Sequence, residues 1–170
     1  MDKEKILAKL FEDPSRKYYI RELAREANVN PNSVINAAKK LEKENLIKRE
    51  AKKHIVEISA NIDNPGFIAK KRVFNLSKIY ESRIVDYIIK EYNPKSIILF
   101  GSYSKGEDVK KSDIDLAVIT DKTEIIDLDF YEHKIGRKIH LLLLQYKIIP
   151  EELYINLING IVLYGYLEKK

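Results

Sequence analysis

Ser-Ile-Ile-Leu-Phe-Gly-Ser (96–102), followed by Asp113-Ile114-Asp115, is the stretch of sequence that decides the fold. The apolar run 96–100 ends abruptly at Gly101, as a buried strand does where it enters a tight turn. Gly101 lets the backbone approach a phosphate group closely, and Ser102 adds a hydroxyl at an expected helix N-terminus. We therefore interpret Gly101-Ser102 as a phosphate-binding turn.

Asp113 and Asp115 form the second half of the pattern. Because side chains alternate along a strand, both carboxylates share one face of the strand expected over 113–119, and apolar residues occupy the other face. Two adjacent acids repel each other and resist burial unless a divalent cation lies between them. The pair predicts a site for Mg²⁺ or Mn²⁺. The simpler alternative is that the two aspartates cap an exposed strand end.

The stretch 97–107, followed by Ser-Asp-Ile-Asp-Leu (112–116), resembles the minimal nucleotidyltransferases of the DNA polymerase β-like superfamily over about residues 94–165. The resemblance implies a domain that transfers a nucleoside monophosphate from an NTP to a hydroxyl group. It also implies that Gly101 and Ser102 hold the triphosphate and that Asp113 and Asp115 bind Mg²⁺. Lys105 stands where such proteins often carry arginine. It keeps the positive charge but lacks the bidentate fork for phosphate oxygens.

The resemblance is incomplete at a third carboxylate, which the family usually has on a following strand. In Lys-Ile-His-Leu-Leu-Leu-Leu (138–144) the matching position is His140. A neutral imidazole is a poor ligand for Mg²⁺, so we expect nucleotide binding to persist and activation of the acceptor to weaken. Three alternatives stay open: His140 acts as a base, Glu132 or Asp129 supplies the missing oxygen, or His140 only packs beside the cleft.

Length and composition narrow the possible classes of protein. The 170 residues suffice for one large or two small cores, and no apolar run approaches the roughly 18 residues of a membrane span. The N-terminus is charged, unlike a signal peptide, and the chain has no cysteine. We therefore expect a cytoplasmic protein without disulfides or thiolate metal sites. Abundant Ile, Lys, Glu and Tyr suggest a thermophile, although AT-rich coding would give a similar bias.

Charge is unevenly distributed along the chain. The net charge is +4 over residues 1–60, +2 over 61–93 and −1 over 94–170. The positive excess therefore lies away from the expected nucleotide site. This asymmetry favours two domains with different partners.

Residues 1–62 have the pattern of a winged helix-turn-helix domain. Apolar residues at helical spacing predict three helices, of which the first stops before Asp13-Pro14. Asn30 and Pro31 are suited to begin the third helix, and Asn45 to end it. A basic hairpin, or wing, is expected over 46–58. The pattern resembles archaeal and bacterial winged-helix regulators over residues 15–60.

The exposed face of the third helix and the wing are expected to bind double-stranded DNA. Asparagine and serine can hydrogen-bond base edges, and lysines can contact phosphates. The residues predicted to do so are Asn32, Ser33, Asn36, Lys39, Lys40, Lys52 and Lys53. Winged helices also serve as protein-contact or dimer modules, so a protein partner or a homodimer is the alternative.

We therefore expect an α+β protein in three parts: a winged helix-turn-helix domain (1–62), a linking helix (63–93) and a mixed-sheet nucleotidyltransferase domain (94–170). Over the linking segment, an apolar row from Val73 through Tyr80 to Ile88 predicts one long helix or two. Three functions stay open. They are a nucleotidyltransferase with an attached DNA-binding domain, a DNA-binding regulator whose degenerate nucleotidyltransferase fold senses nucleotide, and an antitoxin-like partner of a small helical toxin.

Overall fold

The computed structural model of the protein describes residues 2–52 and 55–168, in an α+β arrangement of helices and two sheets. The chain divides within one helix into two units, Met1–Phe74 and Asn75–Lys170. Each unit has a hydrophobic core of its own.

The first unit contains three helices and a small antiparallel sheet. The helices are α1 (Asp2–Glu12), α2 (Ile20–Glu26) and α3 (Pro31–Lys43). The strands are β1 (Tyr18–Tyr19), β2 (Ile47–Lys52) and β3 (Ile55–Ala60), in the order β1-β3-β2. Leu10, Leu23, Leu41 and Ile58 are fully buried among these elements. The apolar residues that recur at helical spacing in the sequence are therefore residues that these helices bury.

Both ends of α3 follow the chemistry expected from the sequence. The Asn30 side chain accepts a hydrogen bond from the Asn32 backbone N–H at 2.8 Å, and Pro31 is the first helical residue. After the helix, Asn45 adopts a left-handed conformation with φ of 58°. These caps fix where α3 begins and ends, and so fix which side chains its exposed face presents.

Two helices follow, α4 (Pro65–Ser82) and α5 (Ile84–Tyr92). They are separated at Arg83, which adopts a left-handed conformation with φ of 70°. The buried positions of α4 include Phe67, Lys71, Asn75 and Ile79, which repeat every four residues, so the apolar row expected along this segment is not the buried face of this helix. Val73 and Tyr80 are exposed, whereas Ile84 and Ile88 are fully buried.

The second unit is built on a four-stranded mixed sheet. Its strands are β4 (Ser96–Phe100), β5 (Ile114–Ile119), β6 (Ile139–Leu144) and β7 (Ile161–Gly165), in the order β6-β5-β4-β7. Strands β5 and β6 are parallel, and β4 is antiparallel to both β5 and β7. The helices are α6 (Gly101–Lys105), α7 (Asp129–Ile135) and α8 (Glu151–Ile158).

Alternation along the strands divides this sheet into two faces. Leu99 and Leu116 belong to the core that contains α5, whereas Ile98 and Ala117 pack with Leu157 of α8. Asp115 is in the same alternate set as Ala117 and therefore lies on the α8 face, beyond the end of its packed core.

None of the helices in the described part of the chain combines the length and the hydropathy needed to cross a membrane.

Candidate active site

Three strand ends meet at one end of the second sheet. The antiparallel register pairs Phe100, the last residue of β4, with Asp115 near the start of β5. The parallel register pairs Asp115 with His140 near the start of β6. The turn after β4, Asp115 and His140 are thus brought together by strand register alone.

Gly101 approaches the Asp115 carboxylate very closely. Its φ is +71°, and a β-carbon added there would lie 2.3 Å from Asp115 Oδ2. No side chain fits at that distance, and the left-handed conformation disfavours any residue other than glycine. The close approach explains why this position, directly after a buried strand, is glycine.

Ser102 and Lys105, the other residues expected to bind phosphate, lie with Gly101 on the five-residue helix α6. Ser104 Oγ closes the turn by donating a hydrogen bond to the Gly101 carbonyl oxygen at 2.8 Å. Ser102 is half-buried and Lys105 is exposed. Within the described residues, neither side chain makes a hydrogen bond or ion pair, so both remain available to a ligand.

The two aspartates differ in their surroundings. Asp115 is half-buried, and Asp113 is exposed and directly precedes β5, which begins one residue later than the sequence indicated. His140 Nδ1 lies 3.2 Å from Asp115 Oδ1, within hydrogen-bond distance, and the imidazole is 58% exposed. The histidine is therefore in contact with Asp115 and open to solvent.

The Glu132 carboxylate pairs with groups outside the aspartate pair. It accepts a hydrogen bond from the Ile139 backbone N–H at 2.9 Å and forms an ion pair with Lys138. The Lys138 ammonium and then the Ile139 N–H lower the pKa of the Glu132 carboxyl. Asp129 is exposed on the first turn of α7. Neither acid forms a group of three or more potential metal ligands with the aspartate pair in the described ranges.

The carboxylates of Asp113 and Asp115 suit a divalent cation that binds together with a nucleotide. Mg²⁺ is commonly bound by one or two protein carboxylates together with substrate phosphates and water. Asp113 and Asp115 could supply those carboxylate oxygens beside the turn at Gly101. The described residues contain no closed cage of three or more ligands, so nucleotide and cation would be expected to bind together.

Sequence reasoning missed the residues that hold the loop between α6 and Asp113. Asp108 is fully buried and lies 3.2 Å from Arg137 Nη2, whose side chain is 9% exposed. Asn75 Nδ2 donates to Asp108 Oδ1 at 2.7 Å and to the Tyr103 carbonyl at 2.9 Å. Arg137 Nη1 donates to the carbonyl oxygens of Val109 and Ser112. An acid in a polar loop gives no sequence signal that it will be buried.

The residues predicted to bind DNA lie in the first unit, apart from this site. On α3, Asn32, Asn36, Lys39 and Lys40 are exposed and Ser33 is half-buried. Lys39 and Lys40 form no ion pair with a described residue. Lys52, by contrast, lies 3.2 Å from Glu57 and 3.6 Å from Glu50. Lys53 lies outside the described residues.

The family described as "Polymerase beta, Nucleotidyltransferase" matches residues 82–169. The chain belongs to this family. No curated protein and no solved structure matches the chain. The match covers the mixed sheet and its strand-end site, and it does not extend to the first unit.

Loss of the Arg137 guanidinium is expected to destabilise the second unit. Arg137→Ala would remove the guanidinium that pairs with the buried Asp108 carboxylate and that donates to the carbonyl oxygens of Val109 and Ser112, at a cost of about 3–5 kcal/mol in the free energy of unfolding. Urea denaturation followed by circular dichroism measures it. Arg83→Ala is the matched control, because the Arg83–Asp86 pair is 77% and 61% exposed and is worth under about 1 kcal/mol. Equal losses in the two variants would contradict a supporting role for Arg137.

Proposed function

We propose that the protein transfers a nucleoside monophosphate from Mg·NTP, or Mn·NTP, to a hydroxyl group of an acceptor. The observation that carries the proposal is the juxtaposition of Gly101 with Asp115, in register with His140. It supports a phosphate-binding turn beside the Asp115 carboxylate, which Asp113 would supplement from two residues earlier in the chain. Membership of the nucleotidyltransferase family supports this reaction class.

In the proposed reaction, the acceptor oxygen forms a bond to the α-phosphorus, and the bond from that phosphorus to the bridging oxygen breaks. Pyrophosphate leaves, and the acceptor proton passes to a base. Gly101 and Ser102 would hold the triphosphate, and Lys105 would offset its negative charge. A divalent cation on Asp113 and Asp115 would neutralise phosphate charge and orient the reacting groups.

His140 is the residue on which activity depends in this proposal. It occupies the register position beside Asp115 where the resemblance places a third acid. Its contact with Asp115 at 3.2 Å supports a place in the site rather than packing beside it. An imidazole adds no hard oxygen to the donor set, so we expect slow transfer in the native protein.

Nucleotide binding is expected to require both the cation and the acid pair. The wild-type protein should bind at least one of the four Mg·NTPs in calorimetry. The double variant Asp113→Asn/Asp115→Asn should bind it at least about tenfold more weakly, because the carboxylate charge is gone. Asp86→Asn, an exposed acid of α5 outside the site, is the control and should bind normally. Absence of Mg·NTP binding in the wild type with all four bases would refute the proposal.

Replacement of His140 by an acid is expected to raise nucleotidyl transfer. His140→Asp would add a carboxylate beside Asp115, and stabilisation by several kcal/mol corresponds to about a hundredfold or more in rate. Because the two carboxylates would repel each other without a cation, Mg²⁺ should also raise the unfolding temperature of this variant more than that of the wild type. His133→Asp, on the exposed face of α7, is the control and should change neither quantity.

The opposite result would assign a different role to His140. If His140 is the base, both His140→Asp and His140→Ala should lower transfer. Mg·NTP binding without transfer in the wild type and in every variant would favour the nucleotide-sensing alternative.

We also propose that the first unit is a winged helix-turn-helix domain that binds double-stranded DNA. The order of α1, α2 and α3 before the β2–β3 hairpin supports this proposal. So does the exposed α3 face, where Lys39 and Lys40 follow Asn36 by one helical turn and have no ion-pair partner in the described part of the chain. Lys52 is held by Glu50 and Glu57, so we expect α3 to contribute more than the wing.

DNA binding should weaken steeply with salt because counterions are released from phosphates. Lys39→Ala/Lys40→Ala should weaken binding to all sequences and lower the slope of log K against log salt by about 2. Asn36→Ala should instead change which sequences are preferred. Lys90→Ala, an exposed lysine of the second unit, is the control in the same titration. A slope that the α3 double variant leaves unchanged would favour a protein-contact role.

A further inference from the structure

Strand pairing fixes the position of Asp115 but not that of Asp113. The β4–β5 register ends at Asp115, and the β5–β6 register begins at Ile114. Asp113 is exposed, and its carboxylate makes no hydrogen bond or ion pair with a described residue. Carboxylates that share a cation need a defined geometry, which neighbouring hydrogen bonds usually supply. The position of Asp113 therefore depends on contacts outside the sheet registers.

Both chain neighbours of Asp113 are held by the segment that precedes β6. Before it, the Ser112 carbonyl oxygen accepts a hydrogen bond from Arg137 Nη1 at 3.3 Å. After it, the Ile114 backbone N–H donates to the Lys138 carbonyl oxygen at 2.9 Å. Arg137 and Lys138 are consecutive in the chain, so one short segment holds the backbone on both sides of Asp113.

The turn 109–112 is also closed by its own hydrogen bonds. The Ser112 N–H donates to the Val109 carbonyl oxygen at 2.9 Å, and the Val109 N–H donates to Ser112 Oγ at 3.0 Å. Arg137 Nη1 donates to the same Val109 carbonyl oxygen. Ser112 is therefore held from within the turn and by Arg137 together.

Arg137 is fixed in turn by buried groups. Its Nη2 lies 3.2 Å from Oδ2 of the fully buried Asp108, and Asn75 Nδ2 donates to the other oxygen of that carboxylate at 2.7 Å. A buried ion pair is weak evidence for net stabilisation, because desolvation of both charges offsets their attraction. A planar guanidinium bonded to a carboxylate and to two carbonyl oxygens does, however, define a position accurately.

We propose that Arg137 is a positioning residue, which sets the place of Asp113 relative to Asp115 so that both carboxylates can bind one divalent cation. The inference rests on the proposed function, because the cation is the one that accompanies the NTP. Arg137 acts through the backbone on either side of the turn, since Nη1 and Nη2 are bonded to protein groups.

Two variants separate positioning from folding. Arg137→Lys keeps a cation for Asp108, but one ammonium cannot occupy the places of Nη1 and Nη2 together. Ser112→Ala removes only the acceptor of the Val109 N–H, in a surface turn. Hydrogen exchange followed by NMR should be about tenfold faster in Arg137→Lys at the Ser112 and Ile114 amides, and unchanged along β4, because only the local hydrogen bonds open more often.

Nucleotide titrations then test the link to the cation. By calorimetry in Mg²⁺, Arg137→Lys should weaken binding of the NTP that the wild type prefers by about tenfold, and Ser112→Ala by a smaller factor. Binding in EDTA should not change, since Asp113 meets the nucleotide only through the cation. In an Asp113→Asn background neither change should weaken binding further, because the carboxylate to be positioned is gone. Arg83→Lys, in an exposed ion pair, is the matched control and should bind normally.

The outcomes distinguish this inference from the proposed function. Absence of Mg·NTP binding by the wild type would overturn the proposed function, and the inference with it. If the wild type binds, three results would each overturn the inference alone. They are unchanged exchange at the Ser112 and Ile114 amides in Arg137→Lys, wild-type affinity of that variant in Mg²⁺, or a loss of affinity that persists in the Asp113→Asn background.

Discussion

The close approach of the Gly101 backbone to the Asp115 carboxylate is the constraint on which the site depends. A carboxylate placed 2.3 Å from where a β-carbon would stand leaves room for a hydrogen atom only. The register of β4 on β5 produces that approach, and the register of β5 on β6 brings His140 to the same acid. The positions of residues at this sheet end are therefore set by backbone pairing between the strands. Which reactions the site can support depends on the side chains that the pairing brings together. A change of chemistry at position 140 can leave the geometry untouched.

Polar groups are satisfied very differently in different parts of the molecule. Around the loop that leads to Asp113, the Asp108 carboxylate and the Arg137 guanidinium are buried together and share their remaining hydrogen bonds with backbone carbonyls and Asn75. In the first unit, many cations are paired at the surface, as Lys52 is with Glu57. The number of basic residues in the sequence is therefore a poor guide to the positive charge available to a ligand. Lys39 and Lys40 of α3 form no ion pair with a described residue, so their charge is more available than that of Lys52.

Local patterns allowed much of the fold to be predicted. The strand ending at Gly101, the strand that carries Asp115, and the caps at Asn30 and Asn45 all follow from chemistry within a few residues. Distant contacts could not be inferred. The burial of Asp108 requires Asn75 and Arg137, which are far away in sequence. Val73 and Tyr80 fit an apolar row, but α4 buries Lys71, Asn75 and Ile79 instead. Among the described residues Ser96 Oγ has no hydrogen-bond partner, which is visible only once the strands are paired.

The spacing of residues along β4 and β5 also limits how this sheet can be redesigned. Ser96 and Phe100, like Ile119 and Asp115, are an even number of residues apart, so both ends of each strand face the same side. Insertion of a single residue into the middle of β5 would turn Asp115 toward the α5 core, whereas a two-residue insertion would keep its face and shift it by about 7 Å. Lengthening both strands in steps of two is thus the tolerable way to enlarge this sheet.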